Sequence, residues 1–169
     1  MRIFNIIPII LSLLLSSTAA HSPSNPTSLT PWEQIHQTLN TYPLAIDFKN
    51  GPLFASVFAP DAFANYTGYL SNLTGIDAIR DGLLQSVSGL ASQHQLGTTV
   101  INIAEDAQSA NSTTYFTASL FSVAPATAGD FTILFGLYAD DLVNGVEGWR
   151  IVKRQLVFMA PNLGNLTLG

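Results

Sequence analysis

His94 is the residue whose type and position in this sequence point most directly to chemistry. The chain contains three histidines, and His94 lies at the start of an apolar, strand-like segment. A neutral imidazole can act as a general base near physiological pH. A nearby carboxylate would orient the ring and stabilise its charged form, and Asp47 is the candidate for that carboxylate. The alternative is a core histidine whose ring is satisfied by a backbone carbonyl.

Asp47 lies between Ile46 and Phe48 in an apolar segment with helical spacing. A lone carboxylate is costly to bury without a partner. The sequence therefore leaves two positions open for Asp47: it points into a polar pocket, or it lies at the fraying end of its helix.

Tyr66 is the third candidate site residue. It follows Asn65, the first residue of an Asn-Tyr-Thr sequon, and neighbouring strand residues face opposite sides of a sheet. If Asn65 carries a sugar outward, Tyr66 faces the interior, where its phenol could donate a hydrogen bond to a ligand carbonyl. The alternative is ordinary aromatic packing in the core.

The elements that must position these residues begin with helices. The run Thr30-Pro31-Trp32-Glu33 is typical of a capped helix start, and apolar residues at helical spacing continue to Ile46. Pro43 should kink or interrupt this helix. A short second helix is predicted over residues 53–58, a short strand over 63–66, and a third helix from Thr74 to about Leu90.

The second half of the sequence changes to the period of a β-strand. Four long strands are predicted, over residues 93–104, 114–124, 131–139 and 149–159. The pair Asp140-Asp141 falls in a predicted turn and is expected to be solvated. The order of elements predicts an α+β fold, with three N-terminal helices packed on one face of a strongly curved, mainly antiparallel sheet.

The N-terminus has the pattern of a secretory signal peptide. Arg2 is followed by a mostly apolar stretch over residues 6–15 and by the small residues 16–20, so cleavage is expected after about Ala20. The apolar stretch is shorter than the about 20 residues that span a bilayer, which disfavours an uncleaved anchor. We therefore expect a secreted protein, with a flexible leader over residues 21–29, one domain over 30–160 and a C-terminal tail over 161–169.

Composition excludes several classes of function. The chain has no cysteine, which rules out cysteine nucleophiles and thiolate metal sites. Its formal net charge is −5, and an acidic surface argues against binding nucleic acid or anionic membranes. No histidine-rich metal motif or phosphate-binding loop occurs in the sequence, so neither a metal nor another cofactor is expected.

Four N-glycosylation sequons occur in the chain. Together with a signal peptide they predict a glycoprotein, with candidate attachment sites at Asn65, Asn72, Asn111 and Asn165.

The element order and three local motifs resemble the nuclear transport factor two-like superfamily, in particular its SnoaL-like and scytalone dehydratase branches. The motifs are residues 46–50 with Asp61 after them, residues 92–97, and residues 148–151. The resemblance covers about residues 30–160. It implies a cone-shaped α+β barrel, in which a bent sheet wraps around helices and encloses an apolar cavity with a polar cluster.

The resemblance also implies roles for individual residues. Asp47 matches the pocket aspartate and His94 the pocket histidine, while Tyr66 stands where the dehydratase branch has a carbonyl-polarising tyrosine. Two positions depart from the dehydratase pattern: Ile46 replaces a tyrosine, and the region near Ser122 holds no second pocket histidine.

Three functions are compatible with the sequence. The first is a cofactor-independent lyase, isomerase or cyclase that acts on a small apolar, polyketide-like molecule by general acid–base chemistry of His94 and Asp47. The second is an extracellular protein that binds a small apolar ligand without catalysis. The third is an interaction module whose cone is filled by its own phenylalanines. Superfamily members often dimerise through the sheet, so a homodimer is expected under all three.

Overall fold

The structure is a computed structural model that describes residues 28–68 and 70–166. The predicted signal peptide and most of the predicted leader lie outside these residues. Within the described ranges, no helix has the length and hydropathy needed to cross a membrane.

Helix α1 (Pro31–Asp47) begins where the sequence predicts. The Thr30 hydroxyl accepts a hydrogen bond from the Glu33 backbone N–H, and the Glu33 carboxylate accepts one from the Thr30 backbone N–H. The helix continues through Pro43 without interruption. Pro43 is buried with the rest of the apolar stripe, and packing against the sheet offsets the hydrogen bond that proline cannot make.

The segment after α1 differs from the prediction. A 3-10 helix spans Gly51–Ser56, and Phe58 belongs to strand β1 (Phe58–Tyr66) rather than to a helix. Strand β2 (Leu70–Thr74), which the sequence did not indicate, pairs antiparallel with β1. Helix α2 (Ile76–Ser86) follows, and its buried residues Ile79 and Leu83 lie on the predicted stripe.

The four long strands form the antiparallel series that the sequence predicts. They are β3 (Leu90–Ile103), β4 (Ser109–Ser122), β5 (Phe131–Gly145) and β6 (Gly148–Phe158). The sheet has the strand order β2-β1-β6-β5-β4-β3, with β1 parallel to β6. A two-residue strand β7 (Leu163–Gly164) pairs with β5. The sheet is curved and unclosed, and the fold is the predicted cone-shaped α+β barrel.

Strand β5 extends beyond its predicted end, to Gly145. Asp140 is therefore a strand residue on the inner face and is only 2 % exposed, so its predicted solvation is wrong. Asp141 is exposed on the opposite face, as expected. The burial of Asp140 is tolerated because a basic side chain on β6 pairs with its carboxylate.

The core lies between the helices and the inner face of the sheet. Along β4 and the first part of β5, even-numbered residues are buried and odd-numbered residues are more exposed. The core is mainly apolar, but several of its largest fully buried side chains carry polar groups. These are Trp149, Arg154, Tyr42, Tyr66 and Tyr138.

Candidate functional site

Asp47 and His94, which the sequence pairs only by hypothesis, are in direct contact. Asp47 is the last residue of α1, and His94 lies on β3. The ring Nδ1–H of His94 donates to Asp47 Oδ1 at 2.7 Å, and the His94 backbone N–H donates to Asp47 Oδ2 at 2.7 Å. The side chains of His94 and Asp47 are 7 % and 15 % exposed. Asp47 thus lies both at the helix end and in a polar site.

The chain immediately after Asp47 fixes this geometry. Lys49 adopts a left-handed backbone conformation with φ of 52°, which turns the chain away from the helix axis. Its ammonium group donates to the Leu90 carbonyl at 2.9 Å. Because Leu90 begins the strand that carries His94, this bond ties the end of α1 to the start of β3.

The contact with Asp47 determines which ring nitrogen of His94 is free. A carboxylate only accepts hydrogen bonds, so Nδ1 must carry a proton. In the neutral ring, the lone pair then lies on Nε2. Nε2 has no hydrogen-bond partner among residues 28–68 and 70–166. The arrangement presents a base whose accepting atom is unused.

Asp47 remains ionised in this site. Burial would raise the pKa of its carboxyl group, but the hydrogen bonds from the His94 ring and backbone N–H outweigh burial and hold the pKa below its ordinary value of 3.8. The carboxylate is therefore present at neutral pH to stabilise a protonated imidazole.

A second polar cluster lies deeper in the cone. Arg154 of β6 donates through Nε and Nη2 to the two carboxylate oxygens of Asp140, each at 2.8 Å. Their side chains are 1 % and 0 % exposed. The two residues are register partners on neighbouring strands, which places the fork of the guanidinium opposite the carboxylate. This bidentate pair is the strong form of such a contact.

Tyr42 of α1 connects the two clusters. Its ring meets the His94 ring edge to face, with centroids 6.2 Å apart. The Arg154 guanidinium carbon lies 4.3 Å from the same ring and 4.2 Å from the ring of Tyr138. The Asp47–His94 pair and the Asp140–Arg154 pair therefore border a common side chain.

Tyr66 faces the interior, as predicted, and is 1 % exposed. Its hydroxyl has no hydrogen-bond partner of good geometry within the described residues. Burial raises the pKa of Tyr66 to about 12, although Arg154 and Tyr42 are close enough to oppose the rise. Tyr66 is thus a neutral phenol with an unused donor, and it borders the Arg154 cluster rather than the His94 ring.

Further buried polar atoms on the inner face of the described sheet lack partners. Nη1 of Arg154, Oγ of Ser112 and Oγ1 of Thr114 make no hydrogen bond. Ser112 is the register partner of Asp140, and Thr114 is that of Tyr138. Buried polar atoms are normally satisfied by protein, water or ligand, so these groups keep unused capacity to bond a water or a ligand.

The interior around these groups is closely filled. Phe116 stacks on Tyr138 with centroids 4.4 Å apart. A cavity of about 550 Å³ opens mainly on the outer face of the sheet, beside Tyr115 and Phe135. Three further cavities are smaller, and none of the four is lined by Asp47, His94 or Tyr66.

The four sequon asparagines occupy two different environments. Nδ2 of Asn65 donates to Gln155, and Nδ2 of Asn165 donates to Asp130. Asn72 is exposed, and Asn111 is exposed with its Oδ1 accepting from Asn102. In Asn65 and Asn165 the Nδ2 group is engaged in the fold, whereas in Asn72 and Asn111 it has no partner within the described residues.

Comparisons with known proteins establish the family. A profile of the SnoaL-like domain matches residues 27–155, most of the chain. The chain belongs to the SnoaL-like domain family. The resemblance inferred from the sequence is confirmed, and the match includes Asp47, Tyr66, His94, Asp140 and Arg154. A search of curated protein sequences found no match.

Solved structures share the SnoaL-like fold at low sequence identity. A candidate scytalone dehydratase from Novosphingobium aromaticivorans superimposes with a TM-score of 0.69 at 19% identity, covering 80% of this chain and 88% of its own. A type 2 hexachlorocyclohexane dehydrochlorinase (LinA) gives a TM-score of 0.69 at 12% identity, with coverages of 81% and 90%. A protein of unknown function with a cystatin-like fold from Nostoc punctiforme gives a TM-score of 0.60 at 15% identity, covering 75% of this chain and 90% of its own.

Proposed function

We propose that this SnoaL-like protein is a cofactor-independent lyase, isomerase or cyclase that removes a proton next to a carbonyl group of a small apolar molecule. The observation that carries the proposal is the double contact of Asp47 with His94, which leaves Nε2 of the imidazole as an unused base. The family supports the same class, since two structural neighbours are named for a dehydration and a dehydrochlorination.

The proposed reaction begins with proton transfer from carbon to Nε2 of His94. The electron pair of the broken C–H bond forms the C=C bond of an enolate as the C=O π pair moves onto the oxygen, while Asp47 stabilises the imidazolium. Tyr66 donates its O–H to the carbonyl oxygen. The enolate then takes a proton at another carbon, expels a leaving group or attacks an electrophilic carbon, giving isomerisation, elimination or cyclisation.

The location and ligand of the proposed enzyme rest on the sequence. The signal-peptide pattern supports a secreted, glycosylated protein, and the low content of charged residues, 10%, suits an apolar substrate. The outer face of the sheet supports a homodimer, because Tyr115, Phe121 and Val157 are exposed there. Sedimentation of the purified protein would measure the oligomeric state.

A second candidate is a non-catalytic binding or interaction module. The observation that favours it is the filled interior, where Phe116 stacks on Tyr138 and none of the four cavities reaches His94. This candidate predicts that replacement of His94 changes no reaction and leaves ligand binding intact.

Solvent deuterium exchange separates the two candidates. The protein would be incubated in D2O with a panel of enolisable aromatic ketones, such as 2-tetralone, and deuterium uptake at the α-carbon measured by NMR. Wild type should exchange at least one member faster than buffer. His94→Gln and Asp47→Asn should reduce that rate by about 10²–10⁴-fold, the usual contribution of general base catalysis.

His36→Gln is the matched control for this experiment. His36 stacks on Trp32 and contacts Asn40 on the exposed side of α1, so its replacement should leave exchange unchanged. Equal exchange by wild type and His94→Gln would contradict the catalytic proposal and favour the binding module.

A further inference from the structure

We propose that a cavity at the end of the β5–β6 hairpin is a second binding site, and that it takes a small carboxylate with an apolar chain. This hairpin cavity has a volume of about 390 Å³, within the range of about 300–1,000 Å³ that is usual for ligand pockets. It lies between the hairpin, the start of β1 and the start of α2. Neither Asp47 nor His94 lines it, so this site goes beyond the proposed reaction.

The hairpin cavity and His94 lie at opposite ends of the sheet. His94 is the register partner of Ala118 on β4, and Ala118 is that of Leu134 near the beginning of β5. Val143, which lines the cavity, lies near the end of the same strand. A ligand in the hairpin cavity would therefore not contact His94.

Most of the wall of the hairpin cavity is apolar. Its apolar side chains are Phe58, Ala59, Pro60, Ile76, Val143 and Val146. Phe58 and Ala59 are buried, whereas Val143 is partly exposed and Val146, at the tip of the hairpin, is fully exposed. Single exposed apolar residues are ordinary, but apolar residues grouped around one concave site are typical of binding sites. An apolar chain in the cavity would cover the exposed surface of both valines.

Arg150 of β6 supplies a positive charge to this wall. Its Nε donates to the Ala55 carbonyl at 2.7 Å, and its Nη1 donates to the Trp149 carbonyl at 2.8 Å. These two bonds orient the guanidinium, but neither acceptor is charged. Nη2 makes no hydrogen bond within residues 28–68 and 70–166. Because charge-assisted hydrogen bonds are the stronger ones, an oriented guanidinium with an unused donor favours an anionic oxygen.

Glu147 is the acidic side chain nearest to this donor among the described residues. Its Oε2 lies 3.9 Å from Nη2 of Arg150, which is too far for a hydrogen bond. The Glu147 side chain is 85 % exposed, whereas that of Arg150 is 20 % exposed. An ion pair of this kind contributes little to stability, so the carboxylate of a ligand can replace Glu147 beside Nη2.

A polar cavity adjoins the same arginine. It has a volume of about 290 Å³ and shares Glu147, Gly148 and Arg150 with the hairpin cavity. Its opposite wall is formed by polar side chains of α1, which include Gln37 and Thr41. Arg150 therefore lies where an apolar cavity meets a polar one. This arrangement fits a molecule with an apolar chain and a carboxylate head.

The test uses octanoate and its uncharged analogue 1-octanol as probes. Isothermal titration calorimetry of wild type should show that octanoate binds at least about tenfold more tightly than octanol, the value of one charged hydrogen bond. Arg150→Met should remove this preference. Lys153→Met is the charge-matched control, because Lys153 is exposed on the same strand and lines none of the four cavities. It should bind octanoate like wild type.

Two further variants separate recognition of charge from loss of structure. Glu147→Gln removes the competing carboxylate from the same hairpin and should bind octanoate at least as tightly as wild type. Ala55→Phe adds a ring at an exposed position on the cavity wall. It should weaken octanoate and octanol alike by filling the cavity, and this result is informative even where Arg150→Met does not fold.

His94→Gln distinguishes the hairpin cavity from the interior of the cone. This variant should lose deuterium exchange yet bind octanoate like wild type, so failure of the proposed function and failure of this site give different results. Equal affinity of wild type for octanoate and octanol would overturn the proposal. Equal weakening in Glu147→Gln and Arg150→Met, or loss of octanoate binding in His94→Gln, would overturn it as well.

Discussion

The carboxylate of Asp47 holds His94 at two points, the ring Nδ1–H and the backbone N–H, each at 2.7 Å. One oxygen orients the imidazole, and the other fixes the strand that carries it. A single residue at the end of α1 therefore sets both the position of His94 and the nitrogen it presents to a ligand. Both contacts require the ionised carboxylate of Asp47.

Stability should depend on pH through Asp47. The pKa of Asp47 is lowered in the folded protein. Ionisation of Asp47 therefore stabilises the folded state above the unfolded pKa of about 4. This contribution is lost as pH falls through the folded pKa. The free energy of unfolding in urea should therefore differ between wild type and Asp47→Asn, and this difference should become smaller below about pH 4. A difference that stays constant to lower pH would contradict the ionised pairing.

Removal of Asp140 alone should be strongly destabilising. Asp140→Ala leaves the Arg154 guanidinium buried without its partner, which costs about 3–5 kcal/mol. Asp140→Leu combined with Arg154→Met should recover most of this loss, because neither charge remains. The measurement is the free energy of unfolding in urea. Asp141→Ala is the matched control, since Asp141 is exposed on the opposite face. An equal loss of unfolding free energy in Asp141→Ala would contradict the role assigned to the buried Asp140–Arg154 pair.

One part of the site could be predicted from the sequence, and the other part could not. Asp47, His94 and Tyr66 were identified because each lies beside a local signal: a helix end, the start of a strand, and a sequon. Tyr42 lies within the apolar, helically spaced segment that continues to Ile46. The tyrosine that links the two clusters therefore had no distinguishing sequence signal.

Arg154 was missed for a structural reason. Trp149 and Ile151 face the interior from odd positions of β6, but the pairing with β5 skips Val152, after which Arg154 and Leu156 face inward. A bulge of this kind reverses the alternation of a strand. Strict alternation from Ile151 would place Arg154 on the outer face of the sheet.

Asp140 was missed because consecutive aspartates are typical of turns. Pairing with β4 and β6 extends β5 through this region instead. The general architecture was predictable, because the helical stripes and the four long strands are local patterns. The register of one strand against another depends on contacts distant in sequence.

Gly136 should be required for the packing of the cone. An added Cβ would lie 2.6 Å from Phe116 Cε1 and 2.7 Å from the Val157 carbonyl oxygen. Gly136→Ala should therefore cost about 1–3 kcal/mol through overpacking, seen as a lower Tm. Gly145→Ala is the matched control, because a Cβ there meets nothing within 4 Å. Equal Tm values for the two variants would show that Phe116 can move aside.

Glycosylation should distinguish the four sequons. A sugar on Nδ2 of Asn65 or Asn165 would replace one of the two hydrogens of a nitrogen that donates to Gln155 or Asp130 and would crowd that hydrogen bond. Asn72 and Asn111 are exposed and can carry a glycan without crowding such a bond. Mass spectrometry of peptides from protein secreted by eukaryotic cells should find sugars at these two positions. Full occupancy of Asn65 in folded protein would contradict the structure at that strand.

The central claim is that Asp47 holds the His94 ring with Nε2 free to accept a proton, and the tautomer of His94 tests it most directly. Long-range ¹H–¹⁵N NMR of the neutral ring distinguishes a protonated from an unprotonated ring nitrogen. Wild type should show His94 with its proton on Nδ1, and Asp47→Asn should shift the proton toward Nε2, because an asparagine amide can donate to Nδ1. A wild-type ring protonated on Nε2 would contradict the account.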